Sequence, residues 1–262
     1  DREKVFKPSL SPDGKYLAAA NFGATPVEDF FSIFSMNGSV VYGNGIALHG
    51  VYYHSYVERK GTWTPDSKKV GVIDPDNEYN IYSGLRQLVP IRADIWVMES
   101  QSGDAAHVRT IPNYGYGALS PNLDWIGYTI LGDEFSSDVT VVSRLTDSTS
   151  IQLGTGPSGF ISFAPDGLHF AYYLGCLPGI TAPCQGHTPK IYIGSREGYY
   201  IRMFSSDNIN LLRWINNFQY VYAEGNSLYL GDVGGNSTLL ATAENPILAF
   251  DAKDLDFQGW IG

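Results

Sequence analysis

The stretch SPDGKYLAAA, residues 11–20, sets four turn-forming residues directly against a run that reads as a β-strand. Ser11 suits the first position of a type I turn and Pro12 supplies the fixed φ of the second. Asp13 tolerates the third, and Gly14 accepts the positive φ that often follows. Tyr16 and the small residues after it then continue as a strand that fits closely between neighbouring sheets. The same order returns in TPDSKKVGVI from Thr64, SPNLDWIGYTI from Ser120 and APDGLHFAYYL from Ala164. Two weaker copies follow, WINNFQYVYA from Trp214 and DAKDLDFQGWIG from Asp251, without the proline. With the proline position as marker (12, 65, 121, 165, then Ile215 and Ala252), the intervals are 53, 56, 44, 50 and 37 residues.

A strand-built repeat of roughly 40 to 50 residues predicts an all-β propeller of four-stranded antiparallel blades. Five units look complete and the sixth stops after two strands, which predicts six blades with an incomplete or degenerate last one. The alternative is five blades with C-terminal closure. The repeat resembles that of the TolB-type β-propellers, in which Ser-Pro-Asp-Gly-Lys, a short strand and a strand like Asp-Ile-Tyr-Val-Met succeed one another. DIWVMES (94–100), KIYIGS (190–195) and SLYLGDV (227–233) supply the later strand. The resemblance spans essentially the whole chain and implies an architecture that serves many functions.

Composition agrees. Helical periodicity is scarce, and runs of Tyr, Val, Ile and Phe are punctuated by 29 Gly and 14 Pro. Residues 1–262 read as a single propeller domain, with no charge block or low-complexity boundary. The chain begins inside a usable strand and stops at FQGWIG, which reads as a piece of a longer protein. A net charge of −10 argues against nucleic acid and anionic lipid as partners, and no apolar stretch is long enough to insert directly into a membrane.

Blade topology assigns connections to faces. With strands A to D running outward, the A–B and C–D turns share one face, and the B–C and D–A connections share the other. The Ser-Pro-Asp-Gly corners are A–B turns. The long connections 22–29, 43–60, 74–93 and 175–189 are all expected on the opposite face, where loops on a rigid scaffold form a recognition surface. Their candidate contact residues are Tyr52, Tyr53, His54 and Tyr56, then Asp74, Asp76, Glu78, Tyr79, Tyr82, Arg86 and Arg92. Tyrosine beside Asn, Gly and Arg is a contact-surface composition, although tyrosines also pack blades. Cys176 and Cys184 share one loop, where a disulfide is expected and free thiols are the alternative. A bridge would point to an extracytoplasmic setting: periplasm, cell surface or secretion.

Carboxylates gather on the same face: Glu28, Asp29, Asp74, Asp76, Glu78, Asp133 and Glu134. Two across the channel mouth could serve a glycoside as acid and base, and DPDNE has oxygen-rich spacing but lacks the glycine and distal glutamate of a calcium loop. Solvated surface charge explains them as well. Other motifs give no catalytic residue, metal site or cofactor. No Gly-x-Ser-x-Gly elbow exists, GTGPSGF around Ser158 has the wrong spacing, and the histidines form no ligand set. NGS at Asn37 and NST at Asn236 are N-glycosylation acceptors in a eukaryotic secretory setting. The expectation is a non-catalytic extracytoplasmic binding or sensor module for a protein, peptide or glycan. The alternative is a carbohydrate-active hydrolase or lyase.

Overall fold

The computed structural model describes residues 4–22, 30–37, 39, 41, 46–47, 61–80, 87–132, 138–147, 149–155, 158–174, 190–195, 200–205 and 209–247. These residues form five four-stranded antiparallel sheets, each a simple meander in chain order, and no helix. The first sheet is β1 (Lys4–Leu10), β2 (Tyr16–Phe22), β3 (Phe30–Ser35) and β4 (Ile46–Ala47). The second is β5 (Thr62–Trp63), β6 (Lys69–Asn80), β7 (Gln87–Glu99) and β8 (Ala105–Pro112). The third is β9 (Tyr114–Leu119), β10 (Trp125–Ile130), β11 (Val139–Arg144) and β12 (Ser150–Thr155). The fourth is β13 (Ser158–Phe163), β14 (His169–Leu174), β15 (Lys190–Ser195) and β16 (Tyr200–Ser205). The fifth is β17 (Ile209–Trp214), β18 (Gln219–Glu224), β19 (Ser227–Asp232) and β20 (Ser237–Thr242). Residues 251–262, read from sequence as the start of a sixth unit, lie outside the described residues.

The corner turns repeat at the level of single hydrogen bonds. Ser11 donates its amide to the Tyr16 carbonyl (2.8 Å), and Thr64, Ser120 and Ala164 do the same across the equivalent span. The Ser11 hydroxyl donates to Asp13 Oδ1 (2.7 Å) and accepts from the Tyr16 amide (2.9 Å). Thr64 with Asp66 and Ser120 with Asn122 repeat that pair of bonds. Gly14 and Gly167 take the left-handed φ expected of the fourth turn position, at 71° and 65°. Ser67 and Leu123 hold the same conformation, at 60° and 56°, despite their side chains. Both side chains are used: Ser67 Oγ accepts the Asp13 amide of the preceding corner (3.0 Å), and Leu123 closes over Gly71. In the fifth unit the turn is one residue shorter. Ile215, the marker of the proline position in the sequence register, occupies the Ser11 place instead and donates to Gln219 O (3.0 Å).

Four backbone bonds place the C–D turns beside the corners. Met36 N donates to Lys15 O, Ser100 N to Lys68 O, Leu145 N to Asp124 O and Val233 N to Phe218 O, at 2.7–2.9 Å. The A–B and C–D turns therefore share a face in those four sheets, as the topology requires.

The core lies between sheets. Ala18, Ala20, Phe31 and Ile33 of the first meet Val70, Val72 and Met98 of the second. Ile73, Ala93, Ile95 and Ile111, on the second sheet's other side, meet Leu119, Ile126, Tyr128 and Val141 of the third. The third-to-fourth and fourth-to-fifth junctions follow the same scheme around Phe163 and Phe170, and around Ile193 and Tyr220. Strand alternation thus gives each inner sheet two apolar faces. Tryptophans tie two junctions: Trp63 Nε1 donates to Ser9 O (2.9 Å) and Trp214 Nε1 to Ser162 O (3.3 Å). The two pairs occupy equivalent places in their units.

Two expected loops are corrected. Residues 74–93 are mostly strand: β6 and β7 pair continuously from Lys69↔Glu99 to Asn80↔Gln87, leaving only 81–86 between them. The residues Asp, Asn and Pro that read as breakers are carried by a two-stranded extension, where β-propensity matters less than the ladder itself. Within 43–60, Ile46 and Ala47 form β4, paired with Phe31 and Phe30. Residues 23–29 and 175–189 lie outside the described residues. Between β8 and β9 the connection is the single residue Asn113, at φ 49°.

Candidate functional site

The second sheet carries the candidate site because, among the described residues, its second and third strands are the longest. β6 and β7 contain 12 and 13 residues, whereas the second and third strands of the other sheets contain 6 or 7. The six or so additional residues correspond to about 20 Å of extended chain toward the loop-bearing end.

Register fixes which side chains share a side. Val70 and Val72 face the first sheet, so Asp74 and Asp76 on the same alternation face it too. Across the sheet the rows read Val72, Trp96, His107, then Asp74, Asp94, Thr110, then Asp76, Arg92, Pro112 toward the hairpin end. An apolar row thus gives way to a polar one and then to an ion pair. A register shift at Ile95/Trp96 inserts one extra residue into β8, leaving Val108 exposed. In an unbulged strand, residues three apart point to opposite sides. The bulge turns both His107 and Thr110 toward Asp94.

The contacts are short and closed. His107 Nε2 lies 3.1 Å from Asp94 Oδ1 and 3.2 Å from Thr110 Oγ1, and Thr110 Oγ1 donates to Asp94 Oδ1. Trp96 meets the His107 ring edge-on at 5.0 Å. Arg92 Nε donates to Asp76 Oδ2 at 3.2 Å, exposed at the top of the row. On the opposite side of β8, Arg109 reaches the third sheet, donating to Ser143 Oγ (2.7 Å) and Arg144 O (3.2 Å).

This arrangement braces; it does not relay protons to a nucleophile. A relay needs the imidazole between hydroxyl and carboxylate, one on each ring nitrogen. Here one nitrogen, Nε2, serves both, and the hydroxyl is bonded to the carboxylate itself.

Of the residues singled out from sequence, the structure brings together Asp74, Asp76 and Arg92. Asp74 is corrected: it is 0% exposed within β6 and forms no part of a contact surface. Asp76 and Arg92 are accessible but lie in strands, not in a loop. Glu78 and Tyr79 fall further along β6. Tyr52, Tyr53, His54, Tyr56, Tyr82, Arg86, Cys176, Cys184, Glu28, Asp29, Asp133 and Glu134 lie outside the described residues. Among the described residues no group of three His, Cys, Asp or Glu could hold a metal ion. Sequence reading missed Asp94, His107 and Thr110. Asp94 was visible only as the start of the repeated DIWVMES strand, and the bulge that recruits His107 has no sequence signature.

No protein-family model matches the chain, and no curated protein matches it. Solved structures do. A putative TolB from Agrobacterium tumefaciens is similar at a TM-score of 0.52 and 14% identity, over 93% of this chain and 83% of that one. An oligogalacturonate lyase in complex with manganese gives 0.60 and 13%, over 95% and 68%. The β-propeller domain of the Trilobed protease from Pyrococcus furiosus, described as having an open velcro topology, gives 0.57 and 15%, over 92% and 72%. Other matched proteins are longer, this chain spanning 58% and 56% of two of them. A TolB, a lyase and the propeller domain of a protease share this architecture, so the likeness is one of fold: the chain folds as a TolB-like β-propeller.

Proposed function

We propose that the chain is a non-catalytic binding module that works outside the cytoplasm and recognises a protein, peptide or glycan through its loop-bearing face. The observation that carries this reading is the long β6–β7 hairpin, which carries the exposed Asp76–Arg92 pair partway along its length and is braced below it by Asp94, His107 and Thr110. A strand-paired extension with an accessible ion pair suits docking, where positioned polar groups limit the entropy lost on association. TolB-like neighbours are consistent with a protein partner. The carbohydrate-active alternative would need two accessible carboxylates, and the enclosure of Asp74 weakens it.

The test replaces residues 77–90 by a two-residue turn, together with Asp76→Ala and Arg92→Ala, and compares binding with the parent chain on glycan and peptide arrays. Array ligands that the parent retains and the shortened chain loses support the reading. Binding that is indifferent to the hairpin sinks it, and turnover of an arrayed glycan would favour the enzyme.

A further inference from the structure

We propose that Asn37 is an acceptor for an N-linked oligosaccharide delivered from a lipid pyrophosphate-linked donor. Asn37 and Ser39 are exposed, just past the end of β3, and belong to the triplet Asn37-Gly38-Ser39. An acceptor of this kind is an exposed surface asparagine two residues before a serine or threonine. Asn37 has that arrangement in the folded chain. Its Oδ1 accepts from Ser39 Oγ (2.6 Å), from the Ser39 amide (3.0 Å) and from Ser35 Oγ (2.5 Å). Among the described residues nothing accepts a hydrogen bond from Asn37 Nδ2.

The chemistry follows from this geometry. An amide nitrogen is a poor nucleophile because its lone pair is shared with the carbonyl. Three donors on Oδ1 stabilise the form in which negative charge sits on that oxygen, and this acidifies Nδ2–H. Nδ2 attacks the anomeric carbon of the donor sugar and an Nδ2–C bond forms. The bond from that carbon to the pyrophosphate oxygen breaks, the lipid pyrophosphate leaves with the electron pair, and one Nδ2 proton passes to a base of the transferase. Nothing is oxidised or reduced.

The second triplet, Asn236-Ser237-Thr238, has the same sequence chemistry and the opposite geometry. Asn236 Nδ2 donates to Asp232 Oδ2 (2.8 Å) and its backbone amide to Asp232 Oδ1 (2.9 Å). Thr238 is already in β20, in register with Leu230. Asn236 is therefore engaged where Asn37 is open. The Met36 amide bonds the Lys15 carbonyl at 2.8 Å, which puts Asn37 on the corner side of the disc. A glycan there leaves the β6–β7 projection uncovered, so the acceptor site is independent of what that projection binds.

The full chain, given a secretory leader, is produced in a eukaryotic host beside a secreted glycoprotein control. The expected product carries an oligosaccharide that peptide N-glycosidase removes, mapped by mass spectrometry to position 37. Asn37→Gln and Ser39→Ala abolish it, Ser39→Thr retains it, and Asn236→Gln leaves it unchanged. An unmodified parent chain beside a modified control overturns the proposal, as does a glycan on Asn236 with Asn37 bare. The decisive measurement is made on the parent chain itself, so no variant has to fold for the test to count.

Discussion

Ser120 is fully enclosed, and its hydroxyl makes two bonds, donating to Asn122 Oδ1 and accepting the Trp125 amide at 3.0 Å. Ser120→Ala strips a buried amide of its acceptor and is expected to cost about 1–2 kcal/mol in chemical denaturation. Ala164 shows how the fold manages without the hydroxyl: Asp166 Oδ1 accepts from both Leu168 N (2.8 Å) and His169 N (3.4 Å). The corner aspartates also carry a pH signature. The Ser11 hydroxyl, followed by the Lys15 amide, holds the Asp13 carboxyl below its ordinary value of 3.8, and the Thr64 hydroxyl, followed by the Lys68 amide, does so for Asp66. A lowered carboxylate contributes stability that is present above its unfolded value and lost as pH falls through the folded one. Thermal unfolding followed as pH is stepped down through 3.8 should show the parent losing stability more steeply than the Asp13→Asn, Asp66→Asn double variant. The asparagine keeps the acceptor oxygen, as Asn122 does naturally, and removes the titration.

At the scale of strands, paired positions decide what each side chain may be. Tyr220 lies opposite Gly231 and Phe170 opposite Gly194, and a Cβ at Gly231 would sit 2.5 Å from the Tyr220 ring. Gly231→Ala should therefore destabilise by about 1–3 kcal/mol through overpacking. Trp63→Phe keeps the ring but removes the indole N–H bond to the Ser9 carbonyl between sheets, with an expected loss of about 1 kcal/mol in the same measurement. The existence of these strands was legible in sequence because the corner turns are local chemistry: serine, proline, aspartate and glycine each act within five residues. The length of β6 and β7 was not, since Asp74, Pro75, Asp76 and Asn77 have the composition of a loop. Their strand conformation comes from pairing with residues 90–94, a non-local ladder that composition does not encode. Pro75 is tolerated past the described β5 pairing, which reaches Gly71.

Over the whole molecule, the repeat and its two-faced topology were legible in the order of residues, while the polar brace was not. Asp94, His107 and Thr110 meet through a one-residue bulge, and Asp74, exposed by expectation, is enclosed because its alternation matches Val70 and Val72. Shortening the projection between residues 77 and 90 should leave cooperative unfolding intact, because the interfaces around Val72 and Ile95 stay complete, while ligand retention on the arrays falls. Among the described residues, the single-residue link at Asn113 leaves a low rim directly beside the long β6–β7 hairpin, so the five described sheets differ in height on that face. If the proposed binding role holds, a ligand leaning on that hairpin is expected to meet a single orientation, which a one-to-one stoichiometry in calorimetry would check.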